Sequence, residues 1–366
     1  MNFVCEKNTL LREIAIAQEI ISSRNVMSIL SNVLLEAENN TLTIKATDLK
    51  VGFESTIPVS VSVPGSTTVF CDKFLSILRS IPDGEVEFKQ EQDRLVILPK
   101  ENKIDFQLKS IASDKFPELQ KISDENYFQI PQQDFIAMIT QTIFAVSDDE
   151  TRYFMNGVYM ENEEGTLVMV ATDGRRLSFI KKEFTNDVPA FNPVIIPPKI
   201  LNLIKKLSSG EGTLSFAIMD KSIFVQFDNK KLTSNLIEGQ FPNYRRVIPS
   251  SQEYELKVNR NSFMEALRRV SLLVEQKSRR LYLQLSNNTI VLHSEESEIG
   301  LAKEEISCEY EGPEVNIALN YLYVEEPLKV MKDELIIRFT EANKAISLLP
   351  DPEKDFFHIV MPMQVD

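Results

Sequence analysis

The sequence has little of what metal chemistry and covalent cross-linking require. Among 366 residues there are no tryptophans, two histidines and three cysteines. The cysteines, Cys5, Cys71 and Cys308, are scattered and odd in number, which argues against a disulfide framework and against a zinc site. His293 and His358 have no metal-ligand spacing, so a histidine base or a histidine-rich metal centre is poorly supplied. We therefore predict no metal, no cofactor and no catalytic residues.

Long apolar runs and nucleotide-binding or nucleophile motifs are also missing. No apolar run reaches the ~18 residues of a membrane span, and the N-terminus lacks the basic and apolar regions of a signal peptide. There is no phosphate loop and no nucleophile elbow. The neighbouring carboxylates of Asp148 and Asp149 are of the kind that is usually solvated in a loop. We predict a cytoplasmic protein that is not an enzyme.

The sequence does contain a pattern of predicted helices and strands that is repeated three times. Apolar residues at helical spacing predict an amphipathic helix at the start of each block, over residues 8–21, 132–146 and 260–274. Alternating apolar and polar residues around a polar turn then predict a hairpin. A second helix follows in each block, over residues 72–80, 197–208 and 320–332. Pro327 lies inside the last of these and is expected to kink or break it.

Two independent landmarks share one period. Asp48 and Asp173 follow the same Ala-Thr pair and are 125 residues apart, as are Phe116 and Phe241, each followed by proline. Repeats of this length indicate homologous domains rather than chance similarity. We predict an α+β protein of three domains, residues 1–124, 125–250 and 251–366, separated by polar linkers.

The charge is unevenly distributed. The chain carries a net charge of −14, which alone argues against a protein that binds nucleic acid over its whole surface. The six predicted helices are nevertheless mildly basic as a set. Helices that all lined one surface would attract phosphates there, with little dependence on base sequence. The alternative is that lysine and arginine are simply good helix formers, and the charge pattern alone does not separate the two.

Four short segments are more distinctive, and they occur in order along the chain: Ala-Thr-Asp-Leu at 46–49, Ala-Thr-Asp-Gly-Arg-Arg-Leu at 171–177, Gly-Gln-Phe-Pro-Asn-Tyr-Arg-Arg-Val-Ile-Pro at 239–249 and Val-Met-Pro-Met at 360–363. With them the sequence resembles the bacterial replicative sliding clamp family, the beta subunit of DNA polymerase III. The resemblance covers all three blocks. It implies the DNA-clamp fold, in which each domain has two helices packed on β-sheets.

By the same resemblance, two chains would join head to tail as a homodimeric ring around duplex DNA. The ring would be loaded by an ATP-dependent clamp loader and would tether the replicative polymerase and other proteins that carry a clamp-binding motif. Binding would be independent of DNA sequence and would involve no membrane.

The resemblance also implies three sets of site residues. The partner-peptide pocket would comprise Met155, Thr172, Gly174, Arg175, Arg176, Leu177, Pro242, Arg246, Val247, Asn320, Tyr323, Asn343, Ala345, Val360, Met361, Pro362 and Met363. Contacts with DNA would come from Arg24, Lys73, Tyr153, Phe154, Lys199, Lys205, Lys206, Arg268 and Arg269. The dimer interface would use Phe106 and Leu108 against Leu272 and Leu273.

The sequence departs from the family's pattern at two pocket positions. Arg175 stands where histidine is frequent, and Lys344-Ala345 replaces a more usual basic-proline pair. These departures bear on partner preference rather than on the fold. The alternative function is a scaffold that binds partner peptides without encircling DNA, which a monomer in solution would favour.

Overall fold

The computed structural model describes residues 1–21, 29–122, 127–184, 188–219 and 221–364. In these ranges the α-helices are α1 (Lys7–Ile20), α2 (Cys71–Ser80), α3 (Gln132–Thr142), α4 (Pro198–Leu207), α5 (Arg260–Ser271) and α6 (Tyr321–Val330). No helix among the described residues is both long and apolar enough to cross a membrane.

The β-strands of the first half are β1 (Asn2–Glu6), β2 (Asn32–Glu38), β3 (Thr41–Thr47), β4 (Val51–Pro58), β5 (Ser60–Val63), β6 (Gly65–Phe70), β7 (Glu85–Glu91), β8 (Arg94–Pro99), β9 (Phe106–Ile111), β10 (Phe128–Pro131), β11 (Val158–Glu163), β12 (Thr166–Thr172) and β13 (Arg176–Glu183). Those of the second half are β14 (Val194–Ile196), β15 (Thr213–Met219), β16 (Ser222–Phe227), β17 (Lys230–Asn235), β18 (Tyr254–Val258), β19 (Arg280–Ser286), β20 (Thr289–His293), β21 (Lys303–Ser307), β22 (Glu309–Tyr310), β23 (Val315–Asn320), β24 (Glu334–Phe339), β25 (Ile346–Asp351) and β26 (Phe356–Val360).

The helices form where apolar side chains recur every three or four residues. In α1 the side chains of Leu10, Ile14 and Ala17 are fully buried on one face. The first turns of α1, α5 and α6 are capped by side chains that accept backbone hydrogen bonds. The Asn259 side chain accepts one from Ser262 N at 2.9 Å, and the Asn320 side chain accepts one from Leu322 N at 3.1 Å.

The chain forms two compact units. The first consists of Met1–Ile130 with Gly212–Leu236, and the second of Pro131–Glu211 with Ile237–Asp366. The first unit contains one 13-stranded sheet in the order β10-β15-β16-β17-β4-β3-β2-β6-β9-β8-β7-β1-β5. Within it β17 pairs antiparallel with β4, with Leu232 opposite Phe53.

The second unit contains two sheets. The larger has nine strands in the order β14-β11-β12-β13-β26-β25-β24-β18-β22, and the smaller has four in the order β21-β20-β19-β23. In the larger sheet β13 pairs antiparallel with β26, with Leu177 opposite Ile359. A strand from the last block of the sequence therefore extends the sheet of the middle block.

The predicted helix positions are confirmed, with ends that differ by a few residues. Helix α3 ends at Thr142 and α5 at Ser271, three or four residues before the predicted ends. The expected break at Pro327 is wrong, because α6 continues through it to Val330. Pro327 costs the hydrogen bond its nitrogen would donate to the Tyr323 carbonyl. The buried side chains of Val324 and Leu328 hold the helix on the core nonetheless.

Candidate functional site

A tight turn between β12 and β13 begins the candidate site. The Thr172 hydroxyl donates to the Arg176 carbonyl at 2.6 Å and accepts from Gly174 N at 3.1 Å. The Asp173 carboxylate accepts from the backbone N–H groups of Arg175 and Arg176 at 2.9 and 3.1 Å. Gly174 has φ +86°, a left-handed conformation that glycine adopts at no steric cost. The Thr-Asp-Gly sequence thus fixes the direction in which both arginines leave the turn.

Arg176 is held from several sides. Its guanidinium pairs with Asp173 at 3.0 Å and with Glu326 of α6, and it donates to the Phe144 carbonyl at 2.6 Å. It also lies over the Tyr323 ring, 4.7 Å from the ring centroid. Through these contacts Arg176 holds the Tyr323 ring in position and joins β13 to helix α6.

The residues after β26 run beside this turn. Met361 N donates to the Arg175 carbonyl at 2.9 Å, and Met363 N donates to the Ala318 carbonyl at 2.7 Å. Two methionines with Pro362 between them are therefore fixed at their backbones, while the Met361 side chain remains exposed. Methionine side chains adapt to irregular apolar ligands.

These elements surround an open cavity of about 770 Å³. Six of the predicted pocket residues line it: Arg175, Asn320, Tyr323, Met361, Pro362 and Met363. Sequence reasoning missed five more: Lys277, Ser278, Arg279, Arg280 and Gln364. The basic run in the loop after α5 was the available signal, but the turn there is too irregular to place from sequence.

The other predicted pocket residues lie outside the lining of this cavity. Met155, Thr172, Leu177 and Val360 are buried. Leu177 belongs to an apolar cluster with Phe241 and Tyr244, against which Ala345 packs. Gly174, Arg246, Val247 and Asn343 are exposed, and Pro242 is half-buried.

The residues predicted to contact DNA differ in their surroundings. Lys73, Lys205, Lys206 and Arg268 are exposed on α2, α4 and α5, and Lys199 is half-buried at the start of α4. Arg269 is paired with Glu304 of β21 through two hydrogen bonds of 2.8 and 2.6 Å. Tyr153 is 54% exposed and meets Phe154 edge to face. Arg24 lies outside the described residues.

The residues predicted at the dimer interface lie on two edges. Phe106 and Leu108 are half-buried on β9 of the first unit. Leu272, directly after α5 in the second unit, is 79% exposed, whereas Leu273 is half-buried.

The cysteines and the potential metal ligands show no sign of reactivity or of a metal site within the described residues. Burial raises the pKa of the Cys5 and Cys308 thiols to about 11 and that of Cys71 to about 12, so all three stay protonated near neutral pH. No group of three or more potential metal ligands occurs among the residues that the structure describes.

Comparison with known proteins identifies the family. Residues 1–120, 129–243 and 245–364 match, in order, the N-terminal, central and C-terminal domains of the DNA polymerase III beta subunit. The beta sliding clamp of Treponema pallidum is 45% identical over 371 residues, with all of both chains covered. The chain belongs to the beta sliding clamp family.

Other beta sliding clamps agree over the full length. That of Salmonella typhimurium is 30% identical with complete coverage of both chains. The crystal structure of a sliding clamp from Pseudomonas aeruginosa bound to griselimycin superposes with a TM-score of 0.94 at 27% identity, again over all of both chains. The predicted α+β, three-domain clamp fold is confirmed. As a beta sliding clamp, the chain is a non-catalytic processivity subunit of a DNA polymerase.

Proposed function

We propose that two copies of this chain close head to tail into a ring that encircles duplex DNA and tethers the replicative polymerase and other partners. The three clamp domains of each chain are residues 1–124, 125–250 and 251–366. The ring works in the cytoplasm, where an ATP-dependent clamp loader opens it. The family, shared with the beta sliding clamp of Treponema pallidum, is one support. The other support is that the last strand of one block pairs with a strand of the preceding block.

The observation that carries the proposal is a strand junction that occurs twice. In the first unit β4 pairs with β17, and in the second β13 pairs with β26. β4 and β13 occupy the same position in their blocks, directly after the Thr-Asp turn, and β17 and β26 are each the last strand of a block. The corresponding strands left over are β21, at the edge of the four-stranded sheet, and β9.

Both left-over strands have an unused edge. Within the described residues, β21 pairs only with β20. β9 pairs with β8 along Phe106–Lys109, and its described contacts with β6 are limited to Ser110 and Ile111. Exposed strand edges of this kind are templates for another chain. A third junction of the same design, made between β21 of one copy and β9 of the other, closes a heterologous ring.

Exposed apolar side chains lie near β21. Leu272 directly follows α5, which packs against β21, and Ile299 and Leu301 immediately precede the strand. They are 79%, 86% and 52% exposed, and exposed apolar side chains of this kind suit an interface.

Contact with DNA is proposed to be weak and to involve phosphates. Lys73, Lys205, Lys206 and Arg268 offer exposed cations from three helices. Arg269 contributes less, because hydrogen bonds of 2.8 and 2.6 Å tie it to Glu304. Arg268 and Lys73 have more distant acidic neighbours, Glu325 at 3.6 Å and Asp72 at 3.7 Å. Exposed contacts of this kind are screened by salt, and weak contacts let a ring slide. Retention then depends on topology, and a tethered polymerase rebinds at a high effective concentration.

Partner proteins are proposed to insert a short apolar peptide beside Tyr323, Met361 and Met363. Deletion of residues 361–366 should abolish binding of a clamp-binding peptide, because both methionines and their backbone contacts are lost. The core is untouched, so the melting temperature should change little. Fluorescence anisotropy with a labelled peptide measures the first effect and circular dichroism the second. Unchanged peptide affinity would show that partners bind elsewhere.

Topological trapping tests the ring. The protein is loaded onto a nicked circular plasmid by an active clamp loader with ATP and then gel-filtered before and after a single restriction cut. We expect retention on the circle and loss from the linear DNA. Retention on both would indicate ordinary affinity, and the absence of retention on either would favour a peptide-binding scaffold that does not encircle DNA.

A further inference from the structure

The mouth of the 770 Å³ cavity is positively charged on a protein whose net charge is −14. Arg175, Lys277, Arg279 and Arg280 line it, and none of its described lining residues is acidic. The side chains of Arg175, Lys277 and Arg279 are exposed, and none forms an ion pair with another described residue. We call these three side chains the basic rim.

The backbone of the basic rim is held in place on both sides. Arg279 N donates to the Glu275 carbonyl at 2.8 Å, and the Arg279 carbonyl accepts from Tyr321 N at 3.0 Å, which ties the loop after α5 to the start of α6. Arg279 itself has φ +53°, a left-handed conformation unusual for a side chain other than glycine or asparagine. Across the cavity, the Arg175 carbonyl accepts from Met361 N.

The apolar and basic parts of the cavity therefore sit side by side. Tyr323, Met361 and Met363 offer an apolar surface in the same cavity as the three unpaired cations. An arginine side chain binds a carboxylate through two parallel hydrogen bonds. Complementary charge adds specificity and speeds association.

We propose that the basic rim selects partner peptides in which acidic residues flank the apolar anchor. The proposal rests on the peptide site put forward above and adds to it a preference that the apolar pocket alone does not give. Apolar contacts would hold the anchor, and the carboxylates would face Arg175, Lys277 and Arg279. Partners with basic flanks would be repelled.

The test uses two labelled peptides with the same apolar core, one flanked by two aspartates and the other by two asparagines. In fluorescence anisotropy at low salt we expect the acidic peptide to bind the wild-type protein about ten-fold more tightly, since each exposed ion pair changes affinity about two- to five-fold. The difference should shrink at high salt. The substitutions Arg175→Gln, Lys277→Gln and Arg279→Gln should each weaken the acidic peptide two- to five-fold more than the neutral one, so that the preference for acidic flanks shrinks.

Lys181→Gln is the matched control, because Lys181 is an exposed lysine on β13 outside the cavity. It should change neither affinity. If the neutral peptide binds and the acidic one gains nothing, the basic rim has no selective role although the peptide site stands. If neither peptide binds, the peptide site fails as well. If an oligothymidylate displaces the acidic peptide and loses affinity in the same rim variants, the rim is a phosphate site and the proposal is overturned.

Discussion

His358 is a buried histidine on β26, two residues before the strand's last residue. Its Nδ1 lies 2.9 Å from the Ser178 hydroxyl, and its Nε2 has no hydrogen-bond partner within the described residues. Burial, and to a lesser extent the charge of Arg176, lower the pKa of His358 from 6.5 to about 3. The ring is therefore neutral at physiological pH and packs against the rings of Phe144 and Phe356.

This burial makes stability depend on pH. The unfolded chain takes up a proton at His358 below about pH 6.5, whereas the folded chain does not until about pH 3, so acidification favours unfolding in that range. From pH 7 to pH 5 this group should lower the free energy of unfolding by about 2 kcal/mol. Urea denaturation at pH 7 and pH 5 measures this effect. Between these pH values the free energy of unfolding of His358→Gln should fall by about 2 kcal/mol less than that of the wild type. His293→Gln is the control, and an equal pH dependence in all three proteins would contradict the assignment.

Some contacts of the site can be predicted from the sequence, because they depend on residues that are close together in the chain. Thr47 and Asp48 make the same turn as Thr172 and Asp173: the Thr47 hydroxyl donates to the Val51 carbonyl at 2.9 Å, and Asp48 accepts from Val51 N at 2.7 Å. Such local side chain–backbone bonds follow from sequence. The pairing of Arg176 with Glu326 spans 150 residues, and no local pattern predicts it.

At the scale of elements, helices were easier to predict than strand partners. The helical period is a local signal, and the helices of each block lie close to their predicted positions. The pairing of β17 with β4 joins residues 175 to 183 positions apart. It makes a compact unit that runs across the predicted domain boundary. Alternation identifies a strand but not its partner, because side-chain pattern alone does not fix which edges meet.

Helix α6 offers a test of how elements position the site. Glu326→Ala removes one of the two carboxylates that hold Arg176, which packs on Tyr323. We expect the dissociation constant of an apolar clamp-binding peptide to rise about three- to ten-fold, equivalent to about 1 kcal/mol, because Tyr323 loses its fixed orientation. Glu325→Ala is the matched control, since Glu325 pairs with Lys329 and Arg268 instead. Equal losses in both variants would point to general weakening of the helix.

At the scale of the whole molecule, two junctions are completed within the chain, and the proposed third joins β21 of one copy to β9 of another. The proposal follows from the repeat once the partners of the two equivalent strands, β4 and β13, are known. A head-to-tail dimer contains the β21–β9 contact twice. A substitution at that edge therefore counts twice in the free energy of dimerisation.

Leu272→Lys tests the closure directly. Leu272 is 79% exposed in the single chain, so the change should not disturb folding, but it places a charge in each proposed interface. A loss of about 2 kcal/mol at each contact, typical of a central interface residue, raises the dimer dissociation constant by roughly 1,000-fold. Sedimentation velocity should then show monomers at concentrations where the wild type is dimeric. Leu49→Lys, a change at a leucine that is 61% exposed in the turn between β3 and β4 and is part of neither proposed edge strand, should sediment as the wild type does. A Leu272→Lys protein that remains dimeric would mean that the chain closes through a different surface.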